Sequence, residues 1–181
     1  MSNTSKRLHT LALTAISAAL YIVLDRYLAI VPSTANTSVK VTFAVIPLLL
    51  CGYLCGPICG GACGLLADLI GAFLSAFAPN PLLTVKPILL GVIPGLLVLL
   101  YRKKTLPFDP CKPLAVVITV VVSEALLSGL WQTWCLARMF GTPFAVKFVA
   151  RLPVVLISMV IDAAGASLLL KSKEIRRFGR P

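Results

Sequence analysis

Leu11-Ala-Leu-Thr-Ala-Ile-Ser-Ala-Ala-Leu-Tyr-Ile-Val-Leu-Asp-Arg-Tyr-Leu-Ala-Ile30 decides how the chain reads. About 20 apolar residues are long enough to cross a bilayer as a helix. Small residues recur near its start, at Ala12, Ala15 and Ala19, with Ser17 and Ala18 beside them. Its far end carries Asp25 and Arg26. Such a helix has two ends of different chemistry, one suited to packing against a partner helix and one suited to holding a polar ligand.

The rest of the composition agrees with a membrane protein. Of 181 residues, 59% are hydrophobic and 13% charged, and the mean hydropathy is +0.97. Soluble domains carry about 25% charged residues. The first apolar run lacks a small-residue cleavage site and reads as a span, not a signal peptide. The hydrophobic pattern predicts a single all-α membrane domain over 1–181, a six-helix bundle with spans near 11–30, 41–55, 61–78, 88–101, 113–136 and 144–170. Pro47 is expected to kink the second span, and Pro79-Asn-Pro81 to end the third.

The net charge of +11 would suggest nucleic acid in a soluble protein. Here the cations sit at helix ends, and orientation in a membrane is the first explanation. Six spans place both termini on one side. That side holds eleven of the 17 Lys and Arg, namely Lys6, Arg7, Arg102, Lys103, Lys104, Lys112 and five in the tail from Lys171 to Arg180. The positive-inside rule makes it cytoplasmic. Arg26, Lys40, Lys86, Arg138, Lys147 and Arg151 remain for the outer half. Snorkelling to the headgroups accounts for one or two of them. Six together suggest a basic outer cavity for an anionic solute, and Arg151, two turns into its span, needs a cavity or a partner.

Asp68, Glu124 and Asp162 are embedded in spans, where ionisable groups are functional candidates by default. A structural role is favoured for Asp162 and for Asp68, which lies between Gly64 and Gly71. Glu124 shares a regular helical face with Ser128, Trp131, Cys135 and Arg138. Trp131 fits either a pocket or the interfacial aromatic belt. Cys51, Cys55, Cys59 and Cys63 recur every fourth residue, but Gly56-Pro57 and Gly60-Gly61 interrupt them, so they read as small packing residues and no metal site. His9 stands alone near the terminus. No catalytic histidine pairing, zinc-protease motif, nucleophile elbow or Walker lysine loop is present, so an enzyme is not expected and no cofactor is implied.

Several segments carry a resemblance. Ala15-Ile-Ser-Ala-Ala19 is similar to the Ala-x-x-x-Ala helix 1 motif of the substrate-binding S components of energy-coupling factor (ECF) vitamin transporters. Gly64-Leu-Leu-Ala-Asp-Leu-Ile-Gly71 resembles their helix 3. Val39-Lys-Val-Thr-Phe-Ala-Val-Ile-Pro47, Leu130-Trp131, Gly141-Thr-Pro-Phe144 and Ala150-Arg-Leu-Pro153 resemble folate-specific members. The segment from Pro79 to Lys86 is less similar to them. The resemblance implies a multi-pass protein of the bacterial plasma membrane that captures a vitamin from outside. It would dock through Ala12, Ala15 and Ala19 on a transmembrane coupling subunit bearing two ATPases, and topple to deliver its cargo. Folate would engage Arg26, Lys40 and Arg151 through its carboxylates. Its pterin would stack on Trp131 or Phe73, with Glu124 or Asp68 accepting from the amino edge. An S component for another vitamin, a small membrane enzyme acting on an anionic lipid and a scaffold protein are the competing readings.

Overall fold

The structure is a computed structural model and describes residues 3–28, 42–74, 80–104 and 109–172. Lys40, the 31–40 turn and most of the cationic tail lie outside the described residues. The helices are α1 (Asn3–Tyr27), α2 (Val45–Cys55), α3 (Pro57–Leu74), α4 (Pro81–Arg102), α5 (Pro113–Phe140) and α6 (Phe144–Lys171). No strand occurs among the described residues. Five helices are long and apolar enough to cross a membrane, while α2 has 11 residues. At 1.5 Å per residue α2 reaches roughly 16 Å, about half a hydrocarbon core. The six helices expected are present, and α2 is shorter than the span predicted for it.

Local chemistry explains the boundaries. α2 begins at Val45, not near 41, so Pro47 falls in its first turn. A first-turn residue has no intrahelical acceptor for an N–H, and no kink is required there. Gly56, with φ of 95°, turns the chain directly into α3, whose first residue is Pro57. α3 therefore starts four residues earlier than the glycines suggested. α4 starts at Pro81, seven residues earlier than expected, because Asn80 is its N-cap: the side chain accepts from the Leu82 N–H at 3.0 Å. Lys86 thus lies on a helix instead of in a loop.

The tightest packing joins α3 to α4. A Cβ on Gly60 would collide with the Gly91 carbonyl, one on Gly64 with the Pro87 carbonyl, and one on Gly91 with the Gly60 carbonyl. Backbone rests on backbone, the close approach that small residues permit between membrane helices. Leu48, Leu49, Leu90, Val116, Val120 and Ala166 fill the centre. Cys51 and Cys63 are buried within it and Cys55 and Cys59 are half-buried, all as free thiols. On α1, Thr14 and Ala18 face the core while Ala12, Ala15 and Ala19 are exposed.

The second half of Pro113–Phe140 departs from a regular helix. Ala125–Trp131 is a π-helical stretch between two α-helical segments. On a regular helix Glu124 and Gln132 would diverge by roughly 80°. The wider π turn brings Glu124, Ser128 and Gln132 to one face instead, and all three line the same cavity.

Candidate functional site

One cavity of about 220 Å³ gathers residues from all six helices. It takes late residues of α1, α3 and α5 (Asp25 and Arg26, Asp68, Gln132) and early residues of α2, α4 and α6 (Val45, Lys86, Arg151). A second cleft takes the early residues of α1 and α3 and the late residues of α2 and α4. The helices therefore alternate in direction, and the first cavity lies in the half of the bundle away from the start of α1.

The lining is charged to an unusual degree for a span. Four of the chain's six acidic residues, Asp25, Asp68, Glu124 and Asp162, face it together with Arg26, Lys86 and Arg151. The expectation of a basic cavity is corrected to one of mixed charge, because the mid-span acids converge where the outer cations reach in.

Several of these groups are held by the protein. Gln132 Oε1 accepts from Lys86 Nζ at 3.2 Å and from Arg151 Nη2 at 3.0 Å, which ties α4, α5 and α6 together across the cavity. Ser128 Oγ donates to Glu124 Oε2. Thr84 Oγ1 donates to Asp68 Oδ2 at 2.6 Å. Arg26 donates to the Gly71 carbonyl at 2.6 Å, and its Nε lies 3.7 Å from Asp25 Oδ2. Gly71 lies in the last turn of α3, so Arg26 also ties α1 to that helix. In α4, Pro87 has no N–H for the Leu83 carbonyl, and both residues line the cavity.

Other groups are left over. Glu124 Oε1, both carboxylate oxygens of Asp162, and Nε and Nη1 of Arg151 are buried with no hydrogen-bond partner among the described residues. Glu124 and Asp162 are each 1% exposed and Arg151 8%. Leaving buried charged atoms unpaired is costly. Donors and acceptors in this state, around an open space, are arranged for a molecule that satisfies them.

The sequence matches the family model for the ECF-type riboflavin transporter S component over residues 5–175. The chain belongs to this family. Among solved structures, the S component resembles the crystal structure of FolT bound with folic acid, with a TM-score of 0.73 and 23% identity. The likeness covers 90% of this chain and 93% of that one, and is a likeness of fold. Among curated proteins none matches.

Of the residues expected to bind ligand in this S component, the structure brings together Arg26, Asp68, Glu124 and Arg151. Lys40 lies outside the described residues. Phe73 is 75% exposed and does not line the cavity; five residues after Asp68, it sits roughly 140° round the helix. Trp131 also stands outside the lining, with Nε1 donating to the Leu82 carbonyl at 2.9 Å and its ring 5.8 Å from Trp134. Neither aromatic is in the lining of this cavity. Arg138 lies over the Trp134 ring at 5.3 Å and Lys147 over Phe140 at 4.6 Å. These two cations belong to the aromatic rim.

Sequence reasoning passed over Tyr21, Gln132 and Ser158, counted Lys86 only among the outer cations, and assigned Asp162 a structural role. All five line the cavity. For Asp162 the mid-span charge was signal enough. For Gln132 the signal was masked by the π turn.

Proposed function

We propose that this S component captures folate, entering head first. The observation that carries the reading is the layered set of unpaired groups. By helix rise, Glu124 and Asp162 lie roughly 24–27 Å from the ends of α5 and α6 that flank the cavity mouth, and Gln132 and Arg151 roughly 10–12 Å. The cavity therefore has a carboxylate floor and a cationic middle, with Asp25 and Arg26 near the end of α1. A pterin presents an amino group and ring N–H donors that Glu124 Oε1 and Asp162 can accept. The carboxylates of the glutamate tail then meet Arg151, Lys86 and Arg26. Charge-assisted bonds of this kind are the strong ones. Tyr21 is the aromatic side chain of the lining available to a flat ring.

Riboflavin is the second reading, because the matching family model carries that name. Its ring system offers one imide N–H and otherwise acceptors, and its ribityl chain is neutral. It would leave most of the floor unpaired and bring no charged group to Lys86 or Arg151. Parallel titrations of purified protein with folate and riboflavin, together with mass spectrometry of whatever co-purifies, separate the two. Tight folate binding with weak riboflavin binding is expected; the reverse order would transfer the assignment to riboflavin.

Delivery is part of the same proposal. The exposed seam of Ala12, Ala15 and Ala19 would dock on a transmembrane coupling subunit that carries two ATPases, and the whole subunit would topple to release the vitamin. Both termini would face the bacterial cytoplasm, in agreement with the eleven Lys and Arg grouped on that side.

A further inference from the structure

Gln132 holds two cations with one atom. Its Oε1 accepts from Lys86 Nζ at 3.2 Å and from Arg151 Nη2 at 3.0 Å. Lysine and arginine side chains only donate, so the amide must turn its oxygen to them. Both lone pairs of that oxygen are then used, and the other end of the amide, an NH2 group, can only donate. The two cationic nitrogens, one from α4 and one from α6, are brought within roughly 6 Å of each other, where like charges repel. Among the described residues Arg26 forms an ion pair with Asp25, and neither Lys86 nor Arg151 forms one. Glu124 Oε2 and Asp68 Oδ2 are engaged by the hydroxyls of Ser128 and Thr84. The acidic residue outside the described ones, Glu174, follows α6 in the chain, whereas Arg151 lies in the first third of that helix.

We propose that Gln132 is a positioning residue that sets the charge selectivity of the cavity. It gathers Lys86 and Arg151 at one spot with a neutral acceptor, so neither positive charge is cancelled, and a carboxylate of the ligand supplies the missing negative charge. A carboxylate in place of the amide would accept from the same two donors and neutralise them itself. The π stretch supplies the placement, since Ala125–Trp131 ends directly before Gln132 and puts it on the face of Glu124 and Ser128. This role rests on the reading of the ligand as folate, whose tail brings two carboxylates to the paired cations.

The test compares folate with its diamide, in which carboxamides of nearly the same size replace both tail carboxylates, by calorimetric titration of the purified full chain. The unaltered protein is expected to prefer folate by about tenfold or more, the effect of one hydrogen bond between charged groups. In Gln132→Glu, which is close in size, that preference should fall by about tenfold, mainly through folate. Its ligand-free thermal midpoint should stay level or rise, because the two cations are then paired. A merely structural role would lower the midpoint and weaken both ligands alike. Gln132→Met, which keeps the length and removes the acceptor, should reduce the preference by a smaller factor. Equal affinity of the unaltered protein for the two ligands, a preference that survives either variant, or a parallel loss of both ligands with a lower midpoint would overturn the proposal and leave folate as the ligand. Failure of the unaltered protein to bind either compound would instead overturn the folate reading, and this role with it.

Discussion

Asp162 and Arg151 show how a single buried side chain can report a ligand. Each is buried, each lines the cavity, and each has polar atoms without a partner among the described residues. Arg151 retains one bond, to Gln132 at 3.0 Å, which aims the guanidinium and leaves its other nitrogens available. Arg151→Ala is therefore expected to weaken folate binding by about 2–5 kcal/mol, as for truncation of a buried charged partner. Arg26→Ala should weaken it less, because Arg26 also spends a donor on the Gly71 carbonyl. Calorimetric titration of both variants checks this, and unchanged affinity in both would remove the tail anchor. At the floor, Asp162→Asn and Glu124→Gln should each lower folate affinity by about 1.5–3 kcal/mol, the contribution of a hydrogen bond to a charged group. If Asp162→Asn bound folate normally while unfolding at lower temperature, Asp162 would be a structural residue after all.

At the scale of the element, α3 and α4 form the rigid wall on which Asp68, Lys86 and Pro87 are mounted. Their contact depends on the absence of side chains at Gly60, Gly64 and Gly91. Gly91→Ala would drive a methyl into the Gly60 carbonyl, and overpacking of this kind costs about 1–3 kcal/mol. A lower thermal midpoint in detergent is the expected result, and an unchanged midpoint would show that the helices can separate freely. The π-helical stretch Ala125–Trp131 acts on the opposite wall. π turns inside helices recur at functional sites, and this one carries Ser128 and sets Gln132 beneath Lys86 and Arg151.

On the scale of the whole molecule, the two proposed activities fall on separate surfaces. The ligand groups face inward from all six helices, while Ala12, Ala15 and Ala19 face outward from α1. Ala15→Trp should leave folate affinity intact and abolish uptake in cells that express the coupling subunit and ATPases. Uptake at the normal rate would place the docking face elsewhere.

Much of this was legible in the chain itself. Membrane class followed from hydropathy, because a bilayer tolerates little else than long apolar helices. Arg26, Asp68, Glu124 and Arg151 stood out because a charge inside a span needs a reason. The lengths of α2 and α4 did not follow, since Pro47 and Pro81 read as interruptions until their first-turn positions were known. Tertiary structure alone decided the sign of the cavity. Cations can be counted along a sequence, but whether Glu124 and Gln132 face Lys86 and Arg151 depends on helix rotation, and one π turn in α5 shifts that rotation by more than the width of a side chain's face.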